Sequence, residues 1–126
     1  MRPKTLAEVA QLALNGESFD RCLANFLDEF YATPNAGALA DAPVLLAPTL
    51  GEQGQVQDAY LAATAEELAR LHHLSAPTWI AADVRKLHRR WFASPLAALR
   101  AVLLLESPAT FRARNLSVSE NALTRA

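Results

Sequence analysis

The sequence has very little with which to staple itself or hold a cofactor. Cys22 is its only cysteine, which excludes an internal disulfide and any zinc site built on paired thiolates. Glycine occurs four times, and none of the four opens a phosphate-binding loop. The closest approach, Gly51-Glu52-Gln53-Gly54, lacks the Lys-Ser/Thr that must follow. Long apolar runs are missing too. Residues 101–105 are bounded by Arg100 and Glu106, far short of the roughly 20 residues a bilayer requires. The first residues, Met1-Arg2-Pro3-Lys4 and an Ala/Leu stretch broken by Glu8, Gln11 and Asn15, do not read as a signal-peptide core. The expectation is a cytoplasmic protein.

What the chain does have is alanine and leucine. Hydrophobic residues make up 52% of its 126 positions and charged ones 20%, a balance that supports one globular domain over residues 1–126. Few residues are β-branched, and Ala and Leu lose little conformational freedom in a helix. The fold class expected is therefore all-α: a single compact, bundle-like domain of about five to seven helices, crossed by a proline-rich connector.

The start and stop signals agree. Thr5-x-x-Glu8 has the form of a capping box, opening a helix that Gly16 can end. Ser18 caps a second helix whose Phe19, Cys22, Leu23, Phe26, Leu27, Phe30 and Tyr31 form one apolar stripe, ended by Thr33-Pro34. Residues 34–50, punctuated by Pro34, Pro43 and Pro48, read as a helical turn around Ala36–Ala40 and then an extended connector, Val44-Leu45-Leu46, with its leucines tucked inward. A third long helix is expected over residues 54–74, with Val56, Tyr60, Ala63, Leu68 and Leu71 as its apolar stripe and Glu66, Glu67 and Arg70 outside. Residues 82–90 read as a short basic helix or loop. Ser94-Pro95 and Ser107-Pro108 each pair a cap with a proline at the first helical position, which predicts a central apolar helix over 95–106 and a short one to about Arg114. Ser117 or Ser119 would cap a last turn.

Few side chains suggest chemistry. Cys22 sits on the apolar stripe and reads as core rather than as a reactive thiol. His72 and His73 are neighbours, so on a helix they point about 100 degrees apart and do not share a metal easily. Near a helix end they suit the dipole and the last carbonyls. The acids Asp20, Asp28, Glu29, Asp58, Glu66, Glu67 and Asp83 read as solvated faces. No metal site, cofactor or catalytic residue is expected.

Charge is the most suggestive feature. Residues 1–63 hold three basic and eight acidic side chains, net −5, and residues 64–126 nine and five, net +4. Arg85, Lys86, Arg89, Arg90 and Trp91 form a basic cluster, and Arg112, Arg114 and Asn115 follow Phe111. On a helix, Arg85/Arg89 and Lys86/Arg90 would be repelling i,i+4 pairs, which asks for a compensating partner. The choices are another protein, nucleic-acid phosphates, or the acidic half of the same chain.

Five short segments carry a resemblance that runs over most of the chain. Phe26-Leu27-Asp28-Glu29-Phe30-Tyr31, and residues 91–95, 103–108, 111–115 and 119–123, resemble a family of small uncharacterised bacterial helical proteins. Members of that family are often encoded beside a nucleotidyltransferase-like protein, in an arrangement like a toxin–antitoxin pair. The resemblance implies a non-catalytic module that binds and restrains, or guides, such a partner. It transfers no catalytic residue. Helical RNases of the HEPN type place four to six residues between an Arg and a following His; here only two lie between Arg85 and His88 and one between Arg70 and His72. The alternatives are a nucleic-acid binder using the cluster at 85–90 and a small hydrolase or nuclease using His88. A helix-turn-helix reader fits poorly, because the outer face of the second helix is acidic.

Overall fold

The computed structural model describes residues 2–93, 107–119 and 122–123. Among them run α1 (Leu6–Leu14), α2 (Phe19–Ala32), α3 (Gly37–Ala40), α4 (Ala47–Leu50), α5 (Glu52–Leu71) and α6 (Ala109–Arg112). Two 3-10 turns, Thr78–Ala81 and Asp83–Arg85, follow α5. A minimal parallel pair joins β1 (Trp91–Phe92) to β2 (Leu116–Ser117), with Trp91 opposite Leu116 and Phe92 opposite Ser117. The chain is a small all-α domain with that one pair of short strands. No helix among the described residues is long and apolar enough to cross a membrane.

The first two helices follow from their caps. Thr5 Oγ1 accepts from the Glu8 amide at 3.1 Å, and Glu8 Oε1 in turn accepts from the Lys4 amide at 3.2 Å. Ser18 Oγ accepts from the Arg21 amide at 3.2 Å. Between the helices Gly16 takes a φ of 98°, open to glycine at little steric cost. The stripe of α2 is buried from Phe19 through Phe30, Cys22 included. Burial, with Glu17 nearby, pushes the Cys22 thiol above its ordinary pKa, so it stays protonated and inert.

Helix α5 is the centre of the described structure. α4, α6 and both 3-10 turns pack on it, while Phe19 of α2 meets Tyr60 edge-to-face at 6.3 Å. Its alanines, Ala59, Ala62, Ala63, Ala65 and Ala69, are all buried and let neighbouring backbones come close on several sides. The sequence places Glu67 on the outside of this helix and Leu71 on its apolar stripe. The structure reverses both: Glu67 is buried and Leu71 half exposed. The reason is Arg70 and Thr110, which satisfy the Glu67 carboxylate at 2.6 and 3.1 Å. These bonds hold its pKa below the ordinary glutamate value against the opposing effect of burial.

The end of α5 is a left-handed cap. The Leu74 amide reaches back to the Ala69 carbonyl at 2.8 Å, and His73 takes a φ of 56°. Glycine usually holds this position. The His73 side chain is exposed, so His73→Gly removes strain without emptying the core. It should raise stability by about 1 kcal/mol or somewhat less. A urea midpoint that falls in this variant refutes the assignment.

The remaining expectations divide. The expected helical turn is α3, and the connector after it runs without helix over 42–45 and tucks Leu46 into the core; the helix α4 at 47–50 has no counterpart in the sequence reading. Residues 82–90 do not form the basic helix considered: after the 3-10 turn ending at Arg85 the chain is irregular until β1. Ser107 does not cap α6. Its hydroxyl donates to the Val118 carbonyl at 3.0 Å and accepts from the Val118 amide at 2.8 Å, tying the segment to the strand side. Ser117 lies in β2 and caps nothing, while the Ser119 carbonyl accepts from the Ala122 amide. The expected helix over 95–106 lies outside the described residues.

Candidate partner-binding surface

The eight candidate side chains fall into two groups, and the first is internal. Arg85 is 3% exposed. The 3-10 turn packs against α5 and turns this side chain inward. Its Nη2 donates to the Pro43 carbonyl at 2.5 Å, and Nη1 lies 3.5 Å from the Asp58 carbonyl and 3.7 Å from Asp58 Oδ1. The guanidinium also stacks over the Trp79 ring at 4.9 Å, while Trp79 Nε1 donates to the Leu39 carbonyl at 2.9 Å.

Asp58 sits at the middle of this knot. Its Oδ1 accepts from the Leu46 amide at 2.8 Å and its Oδ2 from the Ala47 amide at 3.1 Å. It thus caps the start of α4 from another helix. Burial raises the Asp58 pKa, against the lowering effect of the two amides and Arg85; burial likewise lowers that of Arg85. Arg114 is similarly enclosed. Its Nη1 bonds Glu66 Oε1 at 2.6 Å and the Thr110 carbonyl at 2.8 Å, and Nη2 bonds the Ile80 carbonyl at 3.1 Å. Asn115, with a φ of 63°, donates to the Leu87 carbonyl at 2.6 Å. Arg85, Arg114 and Asn115 therefore hold the chain together.

The second group faces outward. Lys86, Arg89, Arg90 and Arg112 are exposed, and no carboxylate among the described residues lies within ion-pair distance of them. Because 86–90 is not helical, no helix face forces these charges into i,i+4 pairs. Val84 stands beside them with 59% of its surface in water, and Trp91 is half-buried.

The two clusters that are separate in sequence meet in space. The Leu87 amide bonds the Arg114 carbonyl at 3.2 Å, and the Trp91 amide bonds the Asn115 carbonyl at 2.8 Å. The Ala93 amide continues the ladder to Ser117 at 2.9 Å. Two short segments are stapled side by side, each carrying exposed basic side chains. A few residues in register give the sequence no alternation to reveal such a pairing.

A second concave feature opens between α2 and the first half of α5. It is a cavity of about 690 Å³ lined by Phe19, Leu23, Leu27, Val56, Tyr60 and Trp91, with Asp20, Glu52 and Gln57 as its chief polar members. The Tyr60 phenol is pushed up to about 12 by burial and by the nearby Asp20 carboxylate, so it remains neutral at ordinary pH. No group of three or more His, Cys, Asp or Glu that could hold a metal ion occurs among the described residues. His72 packs edge-on to Phe30 at 5.2 Å, whereas His88 is exposed.

No protein-family model matches the chain, and neither a curated protein nor a solved structure matches it.

Proposed function

We propose that this chain is a non-catalytic module that binds a partner protein and restrains or guides it, within the cytoplasm. The partner class that the sequence resemblance implies is a nucleotidyltransferase. The observation that supports this reading best is the stapled basic edge. Lys86, Arg89, Arg90 and Arg112 stand exposed without described carboxylates, while the arginines beside them are buried in structural bonds. A mostly basic edge, with Asp83 as an exposed acid next to its exposed valine and a half-buried tryptophan in it, suits an acidic protein surface that also offers apolar area. Buried ionisable groups such as Asp58, Arg85, Glu67 and Arg114 are engaged by their own chain, and each has a structural use without any reaction.

The test is co-expression with the product of the adjacent gene and recovery of a complex. Reversing Lys86, Arg89 and Arg90 together to Glu should weaken that complex at least about a hundredfold, because like charges juxtaposed at an interface cost several kcal/mol. The thermal midpoint of the free chain should stay nearly unchanged, since surface substitutions away from special features are nearly neutral. A complex that survives the reversal overturns the assignment of this edge. If the wild type instead binds DNA or RNA with an affinity falling steeply with salt, and the reversal removes it, the nucleic-acid reading replaces this one.

A further inference from the structure

The cavity between α2 and α5 has a chemical bias that the basic edge does not share. Phe19 and Tyr60 meet at right angles, ring centres 6.3 Å apart, and make an aromatic corner, with Trp91 a third aromatic wall. Leu23, Leu27 and Val56 line the same space. No lysine or arginine occurs among its described lining residues, whereas two carboxylates, Asp20 and Glu52, do.

Gln57 is an independent sign. It lines this cavity while more than nine-tenths buried, and its Oε1 has no hydrogen-bond partner. A buried acceptor left unpaired is costly, and native structures contain few of them. The terminal amide torsion of glutamine is soft, so a modest rotation can present Oε1 to a donor in the cavity. The polar lining is therefore rich in acceptors, and the complementary ligand brings donors. Aromatic faces and carboxylates both favour positive charge. The volume is that of a site for a small molecule.

We infer that this cavity binds a small organic cation, an ammonium or guanidinium group carried on an apolar body. The charged head lies against Asp20 and the Phe19–Tyr60 corner, and the body lies against Leu23, Leu27 and Val56. Gln57 accepts one of the ligand's N–H bonds. This site shares Trp91 with the basic edge but does not depend on the partner-binding proposal.

Isothermal titration of the full chain with benzylammonium, and with phenylacetate as a matched anion, tests the inference. Benzylammonium should bind saturably and at least about tenfold more tightly than phenylacetate, the loss expected when one charge-assisted hydrogen bond is missing. Asp20→Asn, on the exposed face of α2, should weaken benzylammonium by a similar factor without moving the thermal midpoint. Gln57→Leu should weaken it several-fold and also raise the urea midpoint, because it removes an unpaired buried acceptor and keeps the shape. Equal or tighter binding of phenylacetate overturns the proposal. So does the absence of saturable benzylammonium binding, or unchanged affinity in both variants.

Discussion

Asp58→Ala is expected to destabilise the chain by about 3–5 kcal/mol, the loss typical when one member of a buried ion pair is removed. Three separate groups lose their partner at once. The Leu46 and Ala47 amides are left without the carboxylate that caps α4. Arg85 stays buried with its positive charge and keeps only the Pro43 and Asp58 carbonyls and the Trp79 ring. Asp58→Asn should cost less, since it keeps an acceptor for one amide. In urea denaturation the alanine variant should show a clearly lower midpoint than the asparagine variant. Equal midpoints would mean that the acceptor kept by asparagine contributes nothing, and an asparagine variant as stable as the wild type would mean that the charge and the second acceptor contribute nothing.

The same residue sets a pH signature of unusual sign. Burial raises the folded pKa of Asp58 above its ordinary value near 3.8. Between that value and the raised one, the folded chain keeps a proton that the unfolded chain has lost. Stability therefore falls as pH climbs through this window. Glu67 contributes in the opposite sense. Its pKa is lowered, so its stabilisation is present above the ordinary glutamate value of 4.5 and is lost as pH drops through the lowered one. Comparing the wild type with Asp58→Asn isolates the first effect. The wild type should lose stability relative to the variant as pH rises from about 4, and a relative gain over that interval would sink the assignment.

The elements that were legible in the sequence are those whose cause is local. Thr5 and Ser18 bond amides three residues ahead, and the stripe of α2 needs only a period of 3.6 to be seen. Asp58 has no such local mark. A lone acid on a helix reads as solvated, and the groups that justify burying it lie 11, 12 and 27 residues away. Glu67 is misread for the same reason, its Thr110 partner being 43 residues distant. The basic clusters were visible as composition, but composition does not say which guanidinium turns inward. That choice follows from the carbonyls of Pro43, Ile80 and Thr110, which have no side-chain signature. The cavity was invisible in the sequence, because Phe19 and Tyr60 read as ordinary core and Trp91 as a member of the basic cluster.

Gly54→Ala should be the second large loss, about 3 kcal/mol or more, at the upper end of what overpacking costs. On an exposed helix the same change is worth about 1 kcal/mol in the opposite direction, because alanine is the better helix former. Here the added Cβ would lie 2.5 Å from the Leu46 carbonyl oxygen, 2.6 Å from its carbon and 2.7 Å from the Ala47 nitrogen. These are backbone atoms, so no rotamer change relieves the overlap. The strand of chain they belong to is also fixed, because Asp58, one turn along the same helix, binds the Leu46 and Ala47 amides. Gly54 lets the connector approach, and Asp58 holds it there. The two effects must then be coupled. Once Asp58→Ala has released the connector, residues 46 and 47 can move away, and adding Gly54→Ala should cost markedly less than it does alone. A double-mutant cycle reads that difference directly. Losses that simply add, to within about 0.5 kcal/mol, would show that glycine and carboxylate act on the connector independently.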